Sequence, residues 1–270
     1  MNEEYPNDHH LLDWVRKREA ARVVGACGDP AIDNWRYCNV RRQDDRVTKF
    51  VTDWLAPWHD HPMLIPNTLM ARLFNNEETL RRIGFLQHWK PDHIRRITDD
   101  MNMNNLRVFN PAYIVSTNGR KMDKVEYLTK EVLADAFHRG TTLASPELHT
   151  MWQKLLRING VGSFMAAQVI ADLKDTTKWQ DAEDYWTFAA PGPGSTRGMN
   201  RLRGLNAKAQ NYSYESFKVY IQPVRGIIEV GTGLKLCAHN AQNCLCEFDK
   251  YMRLVNGEGR PKQTYKRSST

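Results

Sequence analysis

From Leu11 to Tyr251 the apolar residues of this chain return every three or four positions, and alternation of apolar with polar residues is scarce. That period describes one face of an α-helix, so the fold class is read as mainly α. Leu11, Leu12, Trp14 and Val15 open an N-terminal helix; Val47, Phe50, Val51, Trp54 and Leu55 stripe another, which Pro57 ends. Further helices are predicted in "PNTLMARLFNNEETLRRIGFLQHW", "KPDHIRRITDDMNMN", "KMDKVEYLTKEVLADAFHRG" and "SPELHTMWQKLLRI", several opening with Pro, Ser or Asp as helix starts prefer. Only "RVFNPAYIVST" resembles a strand, and Pro111 interrupts it. The expected organisation is one helical domain over residues 1–255, or two packed lobes, followed by a polar basic tail over 256–270.

With 41% hydrophobic and 10% aromatic residues, the chain is too apolar to be disordered. Its 38 Lys and Arg against 31 Asp and Glu leave a formal charge of +7, which suits a polyanionic partner without specifying one. No apolar stretch approaches the roughly 20 residues of a membrane span, and the N-terminus lacks a basic segment followed by an apolar run. A soluble, cytoplasmic protein is expected, with no membrane partner. Five cysteines, an odd number, argue against a disulfide framework and are read as reduced thiols.

The sharpest local pattern is "SPELHTMWQKLLRINGVGSFMAAQVIADLKD", with a hairpin expected at 148–173. Leu148, Met151, Trp152 and Leu155 form one stripe, and Met165, Val169, Ile170 and Leu173 form another. Asn159, Gly160, Val161, Gly162 and Ser163 lie between them. Glycines there permit positive φ and close backbone approach, and the amides opening the second helix favour an anion. An ordinary packed joint would use glycines too; Ile158 before the turn, Val161 within it and the small Ala166-Ala167 pair favour a DNA phosphate clamp. Downstream, "WQDAEDYWTFAAPGPGSTRGMNRLRGL" supplies Asp181 and Asp184, then a Gly-Pro-Gly-Ser turn with Gly194, Ser195, Arg197, Arg201 and Arg203. Loop amides and guanidiniums of this kind bind phosphate or pyrophosphate, although a rigid loop with solvated arginines would look the same.

The hairpin and the loop and Asp after it resemble the helix-hairpin-helix DNA-glycosylase superfamily. The combination of "YCNVRRQDDRVTKFV", "FNPAYIVSTNG", "GVGSFMAAQVIADL", "APGPGSTRGMNRL" and "NCLCEFDKYMRLVNGEGRPKQTY" is similar, over roughly residues 33 to 265, to the phage-associated alpha-glutamyl/putrescinyl thymine pyrophosphorylases, or amino acid:DNA transferases. The resemblance implies a helix-hairpin-helix DNA-glycosylase-like helical fold that modifies a base without excising it. It implies double-stranded DNA containing modified thymine as partner, with a 5-hydroxymethyluracil DNA kinase acting upstream. An amino acid or polyamine then replaces the pyrophosphate carried by the base; for a phage-encoded protein the compartment is the host cytoplasm. No G-x-x-x-x-G-K-[ST] occurs, and "GTGLK" at 231–235 lacks its spacing, so phosphorylation by this chain alone is not expected.

Such chemistry requires an extruded base. Asn39, Arg41 and Arg42, beside Asp44 and Asp45, and Phe109, Asn110, Tyr113 and Asn118 are candidates for its pocket; each has a structural reading as well. Arg197 and Arg201 are expected to neutralise the departing pyrophosphate, with Arg41 and Arg42 as a second cluster. Asp181 or Asp184 would take the proton of the attacking amine or orient it. A covalent route would use Cys38. A base-excising glycosylase and a non-catalytic DNA-binding module remain the alternatives. Cys237, His239, Cys244 and Cys246 suggest a metal, but the spacing Cys-x6-Cys-x-Cys lacks the fourth cysteine of an iron–sulfur site and the paired spacing of zinc. That segment is read as a helix packed by Leu245, Phe248 and Tyr251, and the two histidines of "PWHDH" at 57–61 as solvated; no cofactor or metal is expected.

Overall fold

The computed structural model describes residues 4–110 and 116–259. In chain order its helices are α1 (Asp8–Val24), α2 (Pro30–Asp33), α3 (Arg46–Leu55), α4 (Leu64–Phe74), α5 (Glu77–Ile83), α6 (Pro91–Met103), α7 (Lys124–Tyr127), α8 (Leu133–Arg139), α9 (Leu148–Leu155), α10 (Ser163–Leu173), α11 (Pro193–Leu202), α12 (Tyr214–Thr232) and α13 (Ala238–Val255). The protein is mainly α, with no strand among the described residues. None of the described helices is long and apolar enough to cross a membrane. The chain divides into two units, one formed by Arg46–Tyr185 and the other by the flanking segments Met1–Asp45 and Trp186–Thr270.

The central unit is organised around α4, in which every residue from Leu64 to Phe74 is buried. A helix buried on all sides must satisfy its polar groups internally. Arg72 does so through a two-pronged ion pair with Asp172 on α10 and a 3.1 Å hydrogen bond to Thr48 on α3. Asn67 donates to the Met63 and Leu86 carbonyls and accepts from the Leu86 amide. The run predicted as one helix through α4 and α5 is two, because Asn75 adopts a left-handed φ of 49° and the Asn76 side chain caps α5. The segment from Lys124 to Arg139 is helical throughout but widens into a π-turn at Leu128–Val132 between α7 and α8.

The flanking unit packs α1, α11, α12 and α13 around Leu11, Trp14, Val15, Met199, Phe217, Ile221, Leu245 and Phe248. The predicted helix carrying Leu245, Phe248 and Tyr251 is α13, and all three are buried. The "PGPGST" stretch, expected as a turn, is helical from Pro193 onward and starts α11. Proline suits the first helical turn, and the glycines have a packing reason set out below.

Candidate functional site

In the central unit, α9 and α10 form the expected hairpin. Leu148, Met151, Trp152 and Leu155 are buried on α9, as are Val169, Ile170 and Leu173 on α10. Between them Ile158 and Val161 are buried, and the Val161 amide donates to the Ile158 carbonyl at 3.1 Å, closing a tight turn. Gly160 has φ +80°, and a Cβ there would overlap the Tyr127 hydroxyl and lie 3.1 Å from Val132 at the edge of the π-turn. Asn159 donates to Glu131, which also pairs with Arg120 at 3.4 Å, so the turn is fastened to the π-turn. Gly162 differs: its φ is −88°, nothing lies within 4 Å of a Cβ built on it, and it precedes Ser163 at the start of α10 with no side-chain cap. Neither conformation nor packing demands a glycine there. Gly162 sets no side chain beside the start of α10, the end of a helix at which an anion is favoured.

Asp184 accepts from the Leu148 and His149 amides at 2.9 and 2.8 Å, one per carboxylate oxygen, and so holds the start of α9. Asp181 is exposed and lines an open depression with Ser145, Glu147, Thr177, Lys178 and Glu183. Phe109 stacks on Phe74 with centroids 5.1 Å apart and lies under the Lys124 ammonium, while the Asn110 amide donates to the Phe74 carbonyl. Asn118, with φ 51°, donates to the Tyr127 hydroxyl. Tyr113 lies outside the described residues.

The flanking unit holds the other candidates. Gly194 and Gly198 face α13: a Cβ on Gly194 would overlap the Cys246 sulfur, and one on Gly198 the Leu245 carbonyl. Ser195 is buried and closes the first turn, its hydroxyl accepting from the Gly192 amide and donating to the Gly192 carbonyl. The glycines expected to cradle phosphate therefore allow α11 to lie against α13.

The close approach assembles an arginine cluster. Asp249, buried on α13, accepts hydrogen bonds from Arg197 at 2.8 Å and Arg201 at 2.9 Å, and the Arg253 guanidinium lies 3.5 Å away as an ion pair without a hydrogen bond. Arg201 also pairs with Glu258, whose carboxyl is held down to about 2 chiefly by that hydrogen bond. Arg201 thus faces two carboxylates. Arg197 and Arg253 each meet Asp249 through Nε, and their terminal N–H groups have no hydrogen-bond partner among the described residues. Arg253, one helical turn after Asp249, was missed from sequence; its i,i+4 spacing was the available signal. Arg203 serves the packing instead, donating to the Tyr212 hydroxyl and lying 4.3 Å from the Tyr220 ring centre.

Asn39 and Arg42 belong to a segment laid along α13. Asn240 accepts from the Arg42 amide, Asn243 donates to the Asn39 carbonyl and Glu247 accepts from the Cys38 amide. The Asn39 side chain accepts from Arg18, and Arg42 lies 3.7 Å from Asp45. Burial raises the Asp45 carboxyl, partly offset by Arg42. Asn39 and Arg42 are buried, whereas Arg41 is exposed. The Asn240, Asn243 and Glu247 positions, at i, i+3 and i+7 on a largely buried helix, went unread in the sequence. Burial, reinforced by Glu247 and Asp45, pushes the Cys38 thiol well above its ordinary range, which disfavours a thiolate nucleophile. Among the described residues no group of His, Cys, Asp and Glu is arranged to hold a metal ion.

No curated protein and no solved structure matches the chain. A family model described as "5-hmdU DNA kinase, helical domain" matches residues 12–260. The chain therefore belongs to the 5-hmdU DNA kinase helical-domain family, and through it to the hypermodification of thymine in DNA.

Proposed function

We propose that this protein transfers an amine, from an amino acid or a polyamine, onto 5-pyrophosphorylmethyluracil in DNA and releases pyrophosphate. The observation that carries the reading is the Arg197 guanidinium, held through Nε by the buried Asp249, with Arg253 3.5 Å from the same carboxylate and the terminal N–H groups of both without a hydrogen-bond partner among the described residues. Guanidiniums so held match a diphosphate bidentately and stabilise the charge it gains on leaving. In the reaction the amine nitrogen bonds to the exocyclic methylene carbon, and the carbon–oxygen bond breaks with its electron pair leaving on pyrophosphate. The proton lost by the nitrogen passes to a base. Asp184 does not suit that role, since both of its oxygens hold the start of α9. The hairpin of a helix-hairpin-helix, glycosylase-like fold supplies the DNA phosphate contact at Gly162. The base reaches the chemistry only after extrusion from the duplex.

The family match supports a second reading, in which the chain presents DNA to a kinase without doing chemistry itself. Incubating the protein with pyrophosphorylmethyluracil duplex and a mixture of amino acids and polyamines, followed by nucleoside mass spectrometry, separates the two. An amine-bearing thymidine establishes transfer and names the donor; abasic sites identify a glycosylase; unchanged but bound DNA supports presentation. Arg197→Ala should abolish transfer while leaving DNA affinity within about threefold, since one phosphate contact is a small part of a DNA interface. Equal losses of both count against the leaving-group role.

A further inference from the structure

Trp186 is the only exposed tryptophan among the described residues, at 44%. Its backbone is anchored: its carbonyl accepts from the Ala238 amide at 3.0 Å, and Phe188, two residues on, is fully buried. Two cations flank the indole, with the Arg225 guanidinium 5.7 Å and the Lys235 ammonium 5.0 Å from the ring centre. Arg225 is held by the Leu236 carbonyl at 2.8 Å and by Gln222 at 2.7 Å. Neither cation has a carboxylate partner among the described residues.

We infer that Trp186, Arg225 and Lys235 form a contact for a DNA strand carrying an unstacked base, with the indole stacking on the base and the two cations meeting the flanking phosphates. An exposed aromatic ring beside cations without a carboxylate partner among the described residues has the composition of a single-strand platform, because every base offers a π-face and every nucleotide a phosphate. Lys235 is exposed and is held on the indole by a cation–π contact alone. A base can replace it on the ring while its ammonium turns to a phosphate. Arg225, anchored at two points, keeps its place and sets the strand's position. A paired and stacked base offers no free face, so the contact discriminates against intact duplex. The inference rests on DNA as ligand and not on amine transfer, so either assay can fail without the other.

The test is fluorescence anisotropy of the full chain with a labelled thymidine-rich single strand and with the same sequence as duplex. Trp186→Ala should weaken single-strand binding about tenfold, in the range found for one stacked base, and duplex binding by less than about twofold. Trp186→Phe should restore most of the loss. Lys235→Gln, at an exposed position, should reduce the slope of log affinity against log salt by about 0.7 on the single strand. Unchanged single-strand affinity in Trp186→Ala, equal losses on both DNAs, or no binding by the unaltered protein would overturn the inference.

Discussion

Two of the chain's glycine pairs, Gly160 with Gly162 and Gly194 with Gly198, do different things. In the hairpin of the central unit, Gly160 supplies a left-handed backbone against Tyr127, and Gly162 leaves the start of α10 open. In the flanking unit, Gly194 and Gly198 lie inside α11 with ordinary helical backbone and admit α13 to close contact. Gly162 leaves space empty at the surface, whereas the second pair leaves it filled by a neighbouring helix. A glycine costs a helix roughly 1 kcal/mol relative to alanine, and in α11 the approach that aligns Arg197 and Arg201 on Asp249 offsets it.

The largest effect is expected at Gly198. Gly198→Ala should destabilise the protein by about 3 kcal/mol or more, as a lower urea midpoint, because the Leu245 carbonyl belongs to a helix backbone and cannot yield. Gly194→Ala should cost less, since the Cys246 sulfur can rotate away, and parity between the two would show that α11 shifts as a body. Gly160→Ala should lose about 2 kcal/mol in the same measurement, combining positive φ with the Tyr127 overlap.

A smaller effect concerns acid. The Glu258 carboxyl is lowered from 4.5 to about 2 in the folded protein, so its pairing with Arg201 stabilises above the unfolded value and is lost as pH falls from about 4.5 to about 2. Being 42% exposed, it is screened, and contributes no more than about 1 kcal/mol. Glu258→Gln should flatten that limb of an acid unfolding curve and leave neutral stability slightly reduced. Gly162→Ala should change stability by less than about 0.5 kcal/mol yet weaken DNA binding, because its Cβ would occupy the approach to α10. A stability loss with unchanged affinity would assign Gly162 to packing after all.

The cysteines follow the same contrast of open and filled space. Cys246, against Gly194, has its thiol pushed up to about 12 by burial, and Cys38 is raised as well. Both should therefore react slowly with a disulfide reagent at neutral pH.

Much of the fold was legible because helices announce themselves locally. The stripes of Leu148, Met151, Trp152 and Leu155 and of Leu245, Phe248 and Tyr251 reflect a 3.6-residue period that any isolated window carries. The break at Asn75 and Asn76 was less visible, since one left-handed residue leaves no periodic trace. The arginines of α11 were visible as candidates, but their partners were not: Asp249 is 48 residues from Arg201 in sequence. The same holds for Asp184, whose carboxylate binds amides 35 and 36 residues earlier.

The sequence by itself determined the helical class, the hairpin, and the identity of the basic residues available to a polyanion, because periodicity, turn chemistry and charge are properties of neighbours along the chain. Only the tertiary structure decided that the glycine-rich stretch is helix and that Arg201 answers to two carboxylates while Arg197 and Arg253 present unengaged N–H groups. Those outcomes depend on which surface a residue meets, and contacts across tens of residues are set by packing of whole faces rather than by local preference.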